Sequence, residues 1–180
     1  VGTAFSIDRA KDLSLSEGKL SNESIVLCSF GDASTNHATA LSAFNTACWI
    51  SSQGGHVPIV FICEDNRTGI SVPTDGKWIE NNFSNRYGME YLKADGLHLI
   101  DLIIQATKAE KICRIKRVPI FLHMKTVRLM GHAGSDVEVG YRDIKDIEED
   151  ERNDPLMHSA RIMIENSCLT KEEVVSLYEK

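Results

Sequence analysis

At 180 residues, 42% hydrophobic and 26% charged, the chain has the size and composition of one globular domain with a sizeable core. A formal net charge of −6 argues against a nucleic-acid or an anionic-membrane partner. No apolar run approaches membrane-spanning length, which argues against a transmembrane protein.

In chain order, residues 1–10 set Val1, Ala4, Phe5 and Ile7 at helical spacing, and residues 11–23 read as a polar surface connection. Residues 25–30 (IVLCSF) and 57–63 (VPIVFIC) are short apolar runs rich in Ile and Val, and they predict buried parallel strands. Between them, Thr35 or Asn36 caps a predicted helix with Leu41, Phe44 and Cys48 on one side. Ala38, Ala40, Ala43 and Ala47 allow that helix to pack closely. Residues 53–56 (QGGH) read as a loop insertion before the second strand. A loop follows through Thr68, Gly69, Ile70, Ser71, Pro73 and Thr74, then a short helix over 78–87 stopped by Gly88. Residues 89–94 predict a third strand, and Leu99, Leu102, Ile103, Ala106 and Ala109 keep helical spacing to about residue 117. Residues 119–126 (PIFLHMKT) predict the next buried strand. Asp154-Pro155 opens a late helix, and Thr170 with Glu173 forms a capping box for the last. Strand and helix alternate, which predicts a parallel α/β sheet. The five cysteines (Cys28, Cys48, Cys63, Cys113 and Cys168) lie mostly in apolar runs and read as reduced, buried thiols.

The polar residues fall where such a sheet binds ligands. Gly31-Asp32 follows the first strand and Glu64-Asp65-Asn66 the second, and ligands lie outside the carboxyl ends of parallel strands. Adjacent strands bring Asp32 and Asn66 together. A carboxylate, an amide oxygen and a loop carbonyl make a hard, oxygen-only half-shell, which suits magnesium completed by water and phosphate oxygens. The helix start near Thr35 adds backbone donors and a positive dipole end for an anion.

Gly-Asp-x, about thirty residues, then Glu-Asp-Asn-Arg-x-Gly resembles the thiamine-diphosphate motif, Gly-Asp-Gly … Asn-Asn. The flanking FGDASTNHATALSAFNTA and VPIVFICEDNRTGIS are similar to the alpha chain of the decarboxylating component of 2-oxo acid dehydrogenase complexes, pyruvate or branched-chain type. The resemblance implies a three-layer fold, with a mostly parallel sheet flanked by helices. It implies that Asp32, Asn66 and the Thr68 carbonyl hold magnesium, and that Gly31, Ala33, Ser34 and Ile70 also line the thiamine diphosphate. Two positions depart from the motif: Ala33 stands for its third Gly and Asp65 for its first Asn. Ala33 fits only if its backbone avoids positive φ.

The second informative stretch runs over residues 128–142 (RLMGHAGSDVEVGYR). Glycines with Arg, His and Asp after a core strand suit an active-site loop. The glycines leave few apolar anchors, which predicts a loop mobile without cofactor. It is similar to the family loop Tyr-Arg-x-x-Gly-His-Ser-x-Ser-Asp. By position, Arg128 would pair with the cofactor diphosphate, His132 would contact the cofactor as the catalytic residue, and Asp136 and Arg142 would hold the loop's shape. Ala133 replaces the Ser phosphorylated in mitochondrial members, which excludes that control there, while Ser135 remains.

The sequence opens on Val1 and reads as part of a larger protein, a single thiamine-diphosphate-binding domain over 1–180. Residues 1–23 form a helix and connection, 24–126 the core, 127–150 the cofactor loop and 151–180 the C-terminal helices. The implied activity is oxidative decarboxylation of a 2-oxo acid with acyl transfer to lipoyl. The implied partners are a beta chain or beta half, the lipoyl-bearing acyltransferase and a small 2-oxo acid, in a homo- or hetero-oligomer. No residue here matches the glutamate that protonates the aminopyrimidine, so the isolated piece is expected to be inactive. The compartment is cytoplasmic, or the mitochondrial matrix in a eukaryote. The alternatives are an acetoin-cleaving or transketolase-like enzyme, or a catalytically silent binding domain of the same fold.

Overall fold

The computed structural model describes residues 1–15, 21 and 23–180, so part of the connection expected over 11–23 lies outside the described residues. Four parallel strands form the main sheet: β1 (Val26–Gly31), β2 (Ile59–Asp65), β5 (Glu90–Asp95) and β6 (Ile120–Lys125), in the order β1-β2-β6-β5. A two-stranded antiparallel ribbon, β3 (Thr68–Gly69) with β4 (Val72–Pro73), lies between β2 and β5 in sequence. The helices are α1 (Gly2–Asp12), α2 (Ala38–Ser52), α3 (Trp78–Phe83), α4 (Leu99–Lys116), α5 (Ile144–Arg152), α6 (Pro155–Glu165) and α7 (Lys171–Tyr178). The expected three-layer α/β architecture is borne out.

Alternation along the strands splits the core in two. Ile59, Phe61 and Cys63 of β2 and Phe121 of β6 face α1, α2 and α3, meeting Ala4, Phe44, Ala47, Ile79 and Phe83. Val60, Ile120, Leu122, Leu92 and Ala94 face the other way, against Ala109 and Cys113 of α4. Phe121 is the centre of the first half. Its ring stacks on Phe83 at 4.2 Å between centroids and meets Phe44 edge-on at 5.9 Å. Pro58 and Pro119 are fully buried just ahead of the two central strands, where a missing N–H costs the ladder nothing.

Several expectations change in detail. β1 is an edge strand and not a fully buried one: Leu27 is 64% exposed. The buried side of α2 is Phe44, Ala47 and Cys48, with Leu41 41% exposed beside it. Thr35 and Asn36 belong to a 3-10 turn over Asp32–Asn36, and the helix cap is His37, whose Nδ1 accepts the Thr39 amide at 3.2 Å. α3 ends at Phe83. Gly88 still ends the segment after it, at φ 85°, where a Cβ would collide with the Cys48 carbonyl oxygen. The segment expected to stay loop as far as residue 150 turns helical at Ile144, capped by Asp143. All five cysteines are free, but Cys28 and Cys168 are exposed.

Arg117 ties the amino ends of this sheet together. It ends α4 in the left-handed conformation (φ 57°) and is 9% exposed. Its guanidinium forks onto Asp8 of α1 at 3.1 and 3.2 Å and donates to the Ser24 carbonyl at 3.0 Å. His56 reaches the same carboxylate at 2.9 Å. Removing one member of a largely buried pair strands the other charge. Arg117→Ala is therefore expected to lose about 3 kcal/mol in urea unfolding. Arg117→Lys should recover little of it, since an ammonium cannot fork across both carboxylate oxygens.

Candidate functional site

β1 and β2 pair in register, Gly31 opposite Glu64, so the strands deliver Asp32 and Asp65 side by side at their carboxyl ends. Asp32 is 3% exposed. Its Oδ2 accepts the hydroxyl of Thr74, and its carbonyl accepts Thr35 Oγ1 at 2.6 Å, which winds the 3-10 turn. Burial foremost, and the Asp65 charge with it, push the Asp32 carboxyl up from its ordinary value, against the bonds from Thr74 and nearby backbone. A cation set against this carboxylate would relieve both costs.

After β2 the chain turns sharply. Asn66 Oδ1 accepts the Thr68 amide at 2.9 Å, and Asp65 Oδ1 accepts the Arg67 amide at 3.1 Å. Arg67 and Ile70 both lie in the left-handed region, at φ 60° and 58°. For a β-branched residue such as Ile70 that conformation is strained by roughly 1–3 kcal/mol, and such strain gathers at functional sites. The β3–β4 ribbon then folds back, and the Thr74 amide donates to the Arg67 carbonyl at 2.9 Å. This return puts the Thr74 hydroxyl on Asp32. Ala33 needs no left-handed backbone. Its methyl faces Gly69, where a Cβ would come within 2.8 Å, so a glycine on the neighbouring loop accommodates the alanine of the motif. Gly31 is extended (φ −74°), with open space beyond its Cα. Ser34 is exposed beside it.

The loop over residues 128–142 is held by polar groups where the sequence offered few apolar ones. Arg128 donates to the Ile70 carbonyl at 2.6 Å, to Glu138 at 3.0 Å and to the Tyr141 hydroxyl at 2.6 Å. Asp136 accepts the His132 amide at 2.7 Å and the Tyr141 hydroxyl at 2.6 Å. Arg142 bridges Glu138 at 3.0 Å and Asp150 of α5 at 2.5 Å. Arg128 Nε is buried without a partner among the described residues. The His132 side chain is exposed. Through Arg128 and Ile70, this loop is fastened to the turn that carries Asn66 and Thr68.

The oxygens of Asp32, Asn66 and Thr68 suit a hard cation, and the open backbone at Gly31 leaves room for an anionic ligand. Among the described residues no three His, Cys, Asp or Glu side chains gather as a metal cluster. The oxygen set proposed here uses a single carboxylate and depends on a ligand for the rest of its shell.

Over residues 4–180 the chain matches the family described as "Dehydrogenase E1 component". The chain belongs to that family. It is 27% identical to the mitochondrial pyruvate dehydrogenase E1 component subunit alpha of Dictyostelium discoideum, over 86% of this chain and 40% of that protein. It is 32% identical to the testis-specific mitochondrial form from Homo sapiens, over 85% of this chain and 39% of that protein. Against the somatic form from Bos taurus it is 29% identical, over 84% of this chain and 38% of that protein. It thus spans about two fifths of the length of these relatives. The resemblance to alpha chains of the decarboxylating component is borne out.

In this dehydrogenase E1 chain, the structure brings Asp32 beside the Asn66 turn and fastens Arg128 to Ile70. Thr74 was not singled out from the sequence. It lies 42 positions from Asp32, and the positive φ at Arg67 and Ile70 that returns it leaves no compositional mark. Also missed was His123, which is 3% exposed and lies at 2.7 Å from both Asp65 and Tyr91.

Proposed function

We propose that this chain is the diphosphate- and magnesium-binding part of a decarboxylating 2-oxo acid dehydrogenase component. The observation that carries the reading is Asp32: a buried carboxylate without an ion-pair partner among the described residues, at a strand end, beside a strained turn presenting Asn66 and Thr68. Asp32, Asn66 Oδ1 and the Thr68 carbonyl would hold magnesium. Gly31, Ala33, Ser34 and Ile70 would border the thiamine diphosphate, which supplies the nucleophilic carbon and the electron sink for decarboxylation. Arg128 would orient the diphosphate while sharing its fork with Glu138, and the exposed His132 would face the reacting end as the catalytic residue.

Acyl transfer to lipoyl would follow on the whole protein, with a beta chain or beta half completing the site. Among the described residues we assign no glutamate to the pyrimidine: Glu80 is paired to Lys93 at 2.7 Å, and Glu64 is exposed near the carboxyl end of the central strand β2. Pyruvate is the first substrate to assay, because the relatives are named for it; branched-chain 2-oxo acids come next. A matrix or cytoplasmic compartment suits this function, and no helix among the described residues is long and apolar enough to cross a membrane.

The test is calorimetric. Magnesium alone should bind weakly, thiamine diphosphate alone weakly, and each should tighten the other, by the same factor. Equal affinity for thiamine diphosphate with and without magnesium would reject the proposed oxygen set.

A further inference from the structure

We propose that Tyr91, His123 and Asp65 form a positioning chain that sets the Asn66–Thr68 turn, so that the outer strand β5 helps fix the cation site at the end of β1. The proposal rests on the reading of that turn as the cation site. Strand parity puts Tyr91, His123 and Asp65 on one face of the sheet, the face of Phe121. Tyr91 O–H lies 2.7 Å from His123 Nδ1, and His123 Nε2 lies 2.7 Å from Asp65 Oδ2. A carboxylate only accepts, so Nε2 carries the hydrogen, and Nδ1 accepts from the phenol. Burial keeps that phenol protonated, holding its pKa well above the ordinary value. Every donor in the chain then meets an acceptor.

The chain does not stop at Asp65. Its other oxygen takes the Arg67 amide at 3.1 Å, the amide between the two proposed ligands. The Arg67 carbonyl takes the Thr74 amide at 2.9 Å, and the Thr74 hydroxyl reaches Asp32. One hydrogen-bonded path therefore crosses β5, β6, β2 and the end of β1. At its midpoint Asp65 and His123 are 6% and 3% exposed, so water does not compete for their bonds. Partners that orient ligating groups in this way typically change metal affinity 10–100-fold when lost.

Tyr91→Phe is the cleanest probe, since it deletes one hydroxyl and keeps the ring stacked on Phe121. His123→Gln is the stronger one. Two readouts on the full chain separate the proposal from the reading beneath it. The first, without ligand, is amide hydrogen exchange at Arg67 and Thr74, expected to rise at least about 10-fold in both variants while amides of α4 stay unchanged. The second is magnesium affinity in the presence of thiamine diphosphate. It should fall about 10–100-fold in His123→Gln and by a smaller factor in Tyr91→Phe. Unchanged exchange overturns the positioning chain, as does raised exchange with wild-type magnesium affinity. If the wild-type chain itself shows no magnesium-coupled binding, the cation site fails, and the exchange data still decide whether the chain holds the turn.

Discussion

Asp32→Asn is expected to give a folded protein that is more stable without ligand at neutral pH and has lost magnesium-dependent binding of thiamine diphosphate. The amide keeps an oxygen for the Thr74 hydroxyl and nearly the same volume. What it removes is a charge that burial and Asp65 both disfavour. A carboxyl whose folded pKa is raised contributes stability in full below its unfolded pKa and loses it as the pH rises through the folded value. Wild-type stability should therefore decline relative to the variant as the pH climbs above 3.8, the unperturbed value, and through the raised one. Each kcal/mol recovered should raise the melting temperature about 2–4 °C. Asp32 also supplies the only formal charge in the proposed ligand set. Its loss should cost more than the roughly 10–100-fold expected for a supporting partner. Scanning calorimetry against pH, with titration of magnesium and thiamine diphosphate, measures both effects. A variant that binds like wild type would remove Asp32 from the site, whatever its stability.

Phe121→Ala should be among the most destabilising single changes in the chain. The ring is fully buried, stacks on Phe83, and lies within 6.2 Å of the rings of Phe30, Phe44 and Tyr91. Truncating a core phenylalanine costs about 3–5 kcal/mol, a large part of the 5–15 kcal/mol that typically holds a domain together. Urea unfolding followed by tryptophan fluorescence gives the value. A loss below about 1 kcal/mol would mean that the surrounding rings collapse into the gap. Phe121→Leu, which keeps most of the volume but not the stack, should fall between the variant and wild type.

The sheet and its ligand end were legible because β2 and β6 are continuous apolar runs, and because Asp32 and Asn66 follow strand ends at a spacing with chemical meaning. The rest depends on forces without a local signature. Residues 25–30 read as buried because an edge strand and a central one share a composition when both face helices, and only the strand order separates them. α5 has little helical signature in its sequence, because IKDIEEDER is almost wholly charged and carries only two isoleucines as apolar cues. It gains the Asp143 cap and the Arg142–Asp150 bridge only once folded. His37 is a rarer cap than Thr or Asn, and Thr35 and Asn36 belong to the 3-10 turn instead. His123 sits within an apolar run and looks there like a tolerated polar residue. Its two partners are 58 and 32 positions away, so no window of sequence contains the arrangement.

The strand order also bears on how the chain reaches this state. β1, α2 and β2 form one local unit, and β5, α4 and β6 another, each closed by a single crossover. The seam between them is the β2–β6 ladder, which joins Val60 to Ile120 and closes a loop about twice as long as either crossover. Long-range parallel pairing is intrinsically slow, so docking of the two halves should be the late, rate-setting event of folding. Phe44 and Phe61 belong to the first half and Phe121 to the second, so the aromatic stack consolidates only at that moment. The Asp65–His123 bond spans the same seam. Until the halves meet, the first unit carries its acidic strand ends without their imidazole brace and exposes one side of β2, the condition in which a nascent chain is most prone to aggregate.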